Sequence, residues 1–207
     1  MADGTLLLAE MNTTALLSPT YFGPVQWYQK LYRYPQTLIE QHDSFQKQTY
    51  RNRCLIAAAN GVQALTVPVS EGCLVSDHGN WRHQHWQAIA SAYGDSPFFI
   101  YYEDDLRPFF TERWETLYDY DEAIRRKMCE LLDIHPRVAG TDHYLKPSEL
   151  HETDDFRNVI TPKHPLPDPL FMPRRYYQVY ERRHGFLPNL SILDLLLNMG
   201  PESIFYL

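Results

Sequence analysis

Five stretches of the chain carry side chains that could bind or transform a ligand. The first is Ser18-Pro19-Thr20-Tyr21-Phe22-Gly23-Pro24-Val25-Gln26-Trp27. It reads as the loop leaving an early strand and entering a helix, where backbone N–H groups and a helix N-terminus converge in open α/β sheets. Tyr21 and Trp27 offer faces for stacking on a ring, and Gln26 offers both a donor and an acceptor. With a single glycine the stretch fits neither a Walker loop nor a dinucleotide fingerprint. Two readings therefore stand, a pocket wall and a tight structural turn.

The second stretch is Tyr50-Arg51-Asn52-Arg53. In a strand, Arg51 and Arg53 share one face and Asn52 takes the other, so two guanidinium groups could clamp the phosphate or carboxylate of a small anionic ligand. The plainer alternative is an edge strand with solvated charges. The third is Asp77-His78 with Trp81-Arg82-His83-Gln84-His85-Trp86. On a helix, residues two apart diverge by about 200°. His83 and His85 then share no metal, His85 turns with Trp81 and Ile89 toward the core, and no metal is assigned. Either imidazole could serve as a general base near neutral pH, against the simpler reading of packed or surface histidines. Only an extended segment would let Asp77, His78, His83 and His85 gather for metal-dependent hydrolysis.

In the tail, Gln178 and Tyr180 fall on one side if extended, and Asn189 precedes the last helix. Ser191 and Asp194 are explained by capping, since a catalytic Ser–Asp pair needs a histidine that cannot be placed from sequence. Last, Asp154-Asp155-Phe156-Arg157 sets two carboxylates beside a guanidinium. Such runs usually pair at the surface, yet Arg157 would join a cleft if the following loop folds back over the N-terminal strands.

The elements that must position these groups follow from punctuation and periodicity. Thr14–Ser18 reads as a buried strand, Pro19, Gly23 and Pro24 impose a turn, and Val25–Tyr34 is helical. Leu38–Glu40 is a second strand. Asn52–Ala59 and Gln63–Val69 flank Asn60-Gly61, a hairpin signal, with Pro68 at a strand edge or end. Trp81, His85, Ala88, Ile89 and Ala92 keep helical spacing. Asp105–Leu117 reads as another helix, and Asp119 with Glu122 as the capping pair of a third, whose stripe is Ile124, Met128, Leu131 and Leu132. Five prolines in 162–173 make a semi-rigid loop that could be a lid. Ser191 caps a helix over Ile192–Asn198, stopped by Gly200-Pro201. The expected fold class is mixed α/β in a single domain over 1–207. An N-terminal mixed sheet with strand-loop-helix and hairpin units (1–79) precedes a mostly helical half (80–207) packed on it.

Composition narrows the partners. The 207 residues are 44% hydrophobic and 22% charged, ordinary for a folded chain. A formal charge of −7 with scattered basic residues provides no continuous positive surface, which excludes nucleic acid, although a few convergent arginines can still hold one phosphate. Cys54, Cys73 and Cys129 form neither a disulfide framework nor a zinc pattern. The apolar runs Leu6–Ala9 and Ala15–Leu17 are short and lack a basic leader, and no stretch reaches the roughly 20 apolar residues of a membrane span. The expected location is the cytoplasm. Nothing specifies a cofactor or an oligomeric state.

Taken together, these segments resemble the WbqC-like family of bacterial proteins. The resemblance rests on the Ser18–Trp27 loop, and on Tyr50-Arg51-Asn52-Arg53 followed by Asn60-Gly61 and Leu65-Thr66-Val67-Pro68-Val69. It extends through Trp81–Tyr93 into Ser96-Pro97-Phe98-Phe99, and to the closing Gly185–Asp194 and Gly200-Pro201-Glu202-Ser203, covering nearly the whole chain. Many members carry Gln-Pro-Tyr-Phe-Phe-Pro in the first loop, where this chain has Ser18-Pro19-Thr20-Tyr21-Phe22-Gly23-Pro24. The resemblance implies an association with surface-polysaccharide and lipopolysaccharide O-antigen gene clusters, and candidate biosynthetic enzymes without an assigned reaction. The leading expectation is a transferase moving an acyl or aminoacyl group onto a sugar nucleotide. Arg51 and Arg53 would hold phosphates, Tyr21 and Trp27 would stack, and His83 or His85 would accept a proton. Tyr50, Gln26, Asn52, Arg157, Gln178 and Asn189 complete the candidate ligand-binding set. The alternative is a non-catalytic protein binding a small anion or carbohydrate.

Overall fold

The computed structural model describes residues 12–207; the apolar run Leu6–Ala9 lies outside them. Strand β1 (Thr14–Leu17) buries Ala15, Leu16 and Leu17 completely, as expected of an apolar run inside a parallel sheet. Pro24 begins the turn into helix α1 (Val25–Arg33), which returns the chain to β2 (Gln36–Ile39), pairing parallel with β1. Only a glycine fits at position 23, because a Cβ there would lie 2.4 Å from Thr20 Oγ1.

The hairpin forms as a separate antiparallel ribbon of β3 (Arg53–Ala58) and β4 (Gly61–Thr66). Ala58 pairs with Gly61, so the two loop residues are Ala59 and Asn60, and Gly61 carries the positive φ of 109°. Pro68 lies beyond the end of β4, where no ladder donor is lost.

Helix α2 (Trp81–Tyr93) buries Trp81, His85, Ile89 and Ala92 on one face. The helix expected over Asp105–Leu117 is displaced. Helix α3 runs over Phe99–Leu106, Pro108 opens the short α4 (Pro108–Thr111), and the chain is non-helical from Glu112 to Thr116. Proline lacks an N–H, so it starts a helix more readily than it continues one. Helix α5 (Leu117–Leu131) is capped by Thr116, whose Oγ1 accepts from Asp119 N at 3.0 Å while donating to Asp119 Oδ2 at 2.7 Å. The capping pair is therefore Thr116 with Asp119, one turn earlier than Asp119 with Glu122.

The architecture is mixed α/β with helices in the second half, as expected, but two strands come from that half. Strands β5 (Val138–Gly140) and β6 (Thr153–Asp155) complete a four-stranded, all-parallel sheet in the order β5-β2-β1-β6. After the short α6 (Glu181–His184), helix α7 (Ile192–Met199) buries nearly its whole surface in the core. Its cap is Ser191, whose Oγ accepts from Leu193 N and donates to Phe22 O at 2.7 Å, which also fixes the β1–α1 loop. Gly200, at φ 55° and packed on the Phe98 ring, ends the helix.

The proline-rich segment has no regular structure at 162–173, but its middle is strapped to α1. Asp168 Oδ2 lies 2.7 Å from Lys30 Nζ and accepts from Gln26 Nε2 at 2.8 Å, and Leu170 O accepts from Gln29 Nε2 at 3.2 Å. The Lys30 and Asp168 side chains are 1% and 4% exposed, and the ammonium stands 4.7 Å from the centre of the Phe156 ring. Removing one partner of such a pair leaves a bare buried charge. Lys30→Met is expected to lower unfolding free energy by roughly 3–5 kcal/mol, with Lys30→Met/Asp168→Asn recovering a large part. Urea denaturation of the three proteins checks this.

Candidate functional site

Four parallel strands end at one edge, and the buried Glu40, Arg51 and Arg157 gather there. Strand β1 is flanked by β2 on one side and β6 on the other, so the sequence order reverses direction between β1 and β6. Ligands in open α/β sheets bind outside the carboxyl ends of the strands at such a reversal. The cleft found there is lined by Ser18, Pro19 and Thr20 after β1 and by Phe156, Arg157 and Asn158 after β6. Asp43, Gln46, Thr49, Tyr50 and Arg51, from the segment that follows β2, and Trp27 of α1 complete most of its wall.

Arg157 dominates the electrostatics. Its Nε and NH2 donate to the two oxygens of Asp155 at 2.9 and 2.7 Å, and its NH1 reaches across the end of β1 to Glu40 Oε2 at 3.0 Å. Glu40 is wholly buried and accepts further bonds from His42 N, Thr141 Oγ1 and Leu145 N. The two flanking carboxylates hold the guanidinium firmly protonated, Asp155 being the stronger influence. Arg51 is held differently. Its NH2 pairs with the Asp43 carboxylate and lies 3.3 Å from Ser18 Oγ, and its NH1 donates to Ser44 O at 2.9 Å. The free volume between these groups is about 30 Å³, room for little more than a water.

The residues singled out from sequence fall into two groups. Trp27, Tyr50, Arg51 and Arg157 meet at the cleft. Trp27 is fixed there by Nε1 donating to Ser18 O at 2.9 Å, and burial pushes the Tyr50 hydroxyl up to about 12. The others are committed elsewhere. Arg51 precedes β3, so the two arginines do not alternate along one strand. Arg53 donates to Thr66 Oγ1 at 3.1 Å and does not line the cleft. Asn52 Nδ2 donates to Val67 O at 2.9 Å, bracing the hairpin. Gln26 and Asn189 satisfy each other, Asn189 Nδ2 donating to Gln26 Oε1 at 3.0 Å while its Oδ1 accepts from Gln26 N at 2.9 Å.

Tyr21 is fully buried, with its hydroxyl 2.9 Å from His85 Nδ1. Burial lowers the His85 pKa to about 4, so this imidazole is neutral at physiological pH. His83 is exposed, and neither histidine lines the cleft. Gln178 Nε2 donates to Asp194 Oδ2 at 2.7 Å. Asp194 also accepts from the Tyr93 and Tyr176 hydroxyls at 2.9 and 2.7 Å, so beyond the first turn of α7 it fastens the tail to α2. Among the described residues no three His, Cys, Asp or Glu side chains stand close enough to hold a metal. Asp77 instead pairs with Arg82 and Arg113. Asp43 and Glu40 were not singled out from sequence. Glu40 follows an apolar strand directly, which was the available signal that it leaves the sheet's edge.

The sequence model of the WbqC-like protein family matches residues 18–160. The chain belongs to the WbqC-like protein family. The match begins on the first cleft residue, Ser18, and takes in every lining residue except Thr161. This WbqC-like chain is also 25% identical, over 227 aligned positions, to the uncharacterized protein Rv1507c of Mycobacterium tuberculosis, covering 95% of its own length and 98% of that protein. No solved structure matches it. Among the described residues no helix is long and apolar enough to cross a membrane.

Behind the cleft, Asp121 on α5 is 1% exposed, and neither carboxylate oxygen has a hydrogen-bond partner among the described residues. Burial raises its pKa, Glu122 adds to the effect, and Arg51 opposes it. A carboxyl raised in the folded state contributes stability below its unfolded pKa of about 4, and that contribution is lost as pH rises through the folded value. Asp121→Asn is therefore expected to gain stability over the parent as pH rises from about 5 to about 8, by on the order of 1–3 kcal/mol. Urea midpoints across that range test it, and a difference independent of pH contradicts it.

Proposed function

We propose that this WbqC-like chain acts on an activated sugar in surface-polysaccharide biosynthesis, binding a phosphate-bearing sugar in the cleft between β1 and β6. The observation that carries the reading is the meeting of Arg51 and Arg157, from segments following the strands on either side of β1, at the carboxyl edge of a parallel sheet. The Arg51 fork and the N–H groups that Arg157 keeps beyond its bonds to Asp155 and Glu40 suit a diphosphate, and the indole of Trp27 and the ring of Tyr50 supply a flat wall for a sugar or base. Arg157 takes the place in this pair that the sequence suggested for Arg53. The association of WbqC-like proteins with O-antigen clusters favours acyl or aminoacyl transfer to the sugar, in the cytoplasm. Such a transfer needs a group to accept a proton from the attacking amine or hydroxyl.

One observation favours a second reading. His83 and His85 do not line the cleft, and the Asp43 carboxylate is engaged by Arg51. A non-catalytic protein that binds a sugar phosphate and acts through a partner needs no base there.

Thermal unfolding with nucleoside diphosphate sugars at about 100 times their dissociation constant should show stabilisation of about 2.7 kcal/mol, a rise of roughly 5–10 °C in Tm. Arg51→Ala and Arg157→Met should each abolish most of the rise. An undiminished shift in both variants contradicts the site. Mass spectrometry of the sugar nucleotide after incubation with acyl-coenzyme A separates the two readings, since only a transferase yields acylated product.

A further inference from the structure

The two arginines of the cleft are neutralised in unequal ways. Arg157 is gripped by both oxygens of Asp155 and by a Glu40 carboxylate that is 0% exposed and fixed by three further donors. None of that can move without dismantling the sheet edge. Arg51 has a single carboxylate partner, Asp43, and Asp43 is the more accessible of the two, at 18% against 9%. Asp43 sits in the 41–50 segment, which forms no helix or strand. Across the cleft this segment touches the proline-rich loop through Gln48, which accepts from Lys163 Nζ at the surface. Gln48 is held at φ 64°, an unfavourable conformation for a residue with a side chain.

We propose that Asp43 is a displaceable internal ligand of Arg51, so that the cleft admits a doubly charged diphosphate and rejects a monocarboxylate. The inference rests on the sugar-phosphate reading of the cleft. A carboxylate tethered eight residues from its arginine acts at an effective concentration in the millimolar range or above, so a free monocarboxylate of the same charge and shape competes poorly. The diphosphate bridge of a sugar nucleotide carries a charge on each of its phosphates, and non-bridging oxygens on both that accept charge-assisted hydrogen bonds. It gains two things that Asp43 lacks, the added charge and simultaneous reach to Arg157. Displacing Asp43 carries residues 43–49 outward and breaks the Gln48–Lys163 contact. The cleft, about 30 Å³ when closed, then opens to the size of a ligand.

Isothermal titration with inorganic pyrophosphate and with acetate, at matched ionic strength, tests this on the wild type, Asp43→Asn, Asp43→Ser and Arg51→Ala, with circular dichroism confirming each fold. The wild type should bind pyrophosphate and ignore acetate. Both Asp43 variants should bind pyrophosphate at least about tenfold more tightly, the factor of one charge-assisted hydrogen bond, and should acquire acetate binding that Arg51→Ala lacks. Equal or weaker pyrophosphate binding in both Asp43 variants overturns the proposal. If the wild type still binds a nucleoside diphosphate sugar through Arg51 in that case, the sugar-phosphate reading survives and only the displacement falls. Absence of binding for pyrophosphate and sugar nucleotide alike overturns both.

Discussion

A guanidinium cannot shed its charge, so burying one obliges the fold to surround it with acceptors. Arg157, 5% exposed, imposes that constraint on the carboxyl edge of the sheet. It fixes Asp155 at the end of β6 and Glu40 at the end of β2, and Glu40 in turn fixes Thr141 after β5 and the backbone of Leu145. Three of the four strand ends are joined through one carboxylate–guanidinium system that passes over the end of the fourth. Replacing buried ion pairs by apolar groups is often neutral for stability. What this system supplies is geometry: a polar floor of fixed position, beside which Arg51 and Asp43 form a wall that can move.

Elsewhere three buried polar groups are held in closed systems. Asp194 is satisfied by two tyrosine hydroxyls and an amide, with Gln178 spending its oxygen on Leu187 N at 2.9 Å. Gln26 and Asn189 exhaust each other, and Asp168 is shared between Lys30 and Gln26. These groups join distant parts of the chain, the tail to α2 and the proline-rich loop to α1, and leave nothing for a ligand. A polar residue in a family-like stretch can therefore be indispensable to the fold without touching chemistry.

That distinction marks what was legible in the sequence. Strand β1, helix α1, the hairpin, α2 and the capped α7 announce themselves through apolar period and through Pro24, Gly61, Ser191 and Gly200, because local sterics decide those features. Strands β5 and β6 do not. Val-Ala-Gly and Thr-Asp-Asp are three residues each, and they are strands only because β2 and β1 offer parallel partners. For the site, the region and four of its residues were readable, since a strand-to-helix loop and an arginine near carboxylates carry their own physical reasons. The partners were not. Sequence displays donors and acceptors without saying which are already consumed, so Arg53 looked like the natural companion of Arg51, and nothing marked Glu40 and Asp43 as the partners of Arg157 and Arg51. His85 illustrates the same point, since its helical phase pointed to the core and the Tyr21 hydroxyl was waiting there.

The place where a sugar phosphate binds decides whether the cleft between β1 and β6 is the site. A crystal of the protein grown with a saturating nucleoside diphosphate sugar measures this directly. The diphosphate should lie within about 3 Å of both Arg51 and Arg157, with the sugar or base against Trp27 or Tyr50 and the 43–49 segment displaced. Ligand density confined to another depression, such as the groove beside Phe109 and Trp114, or an unaltered, empty cleft, would contradict it.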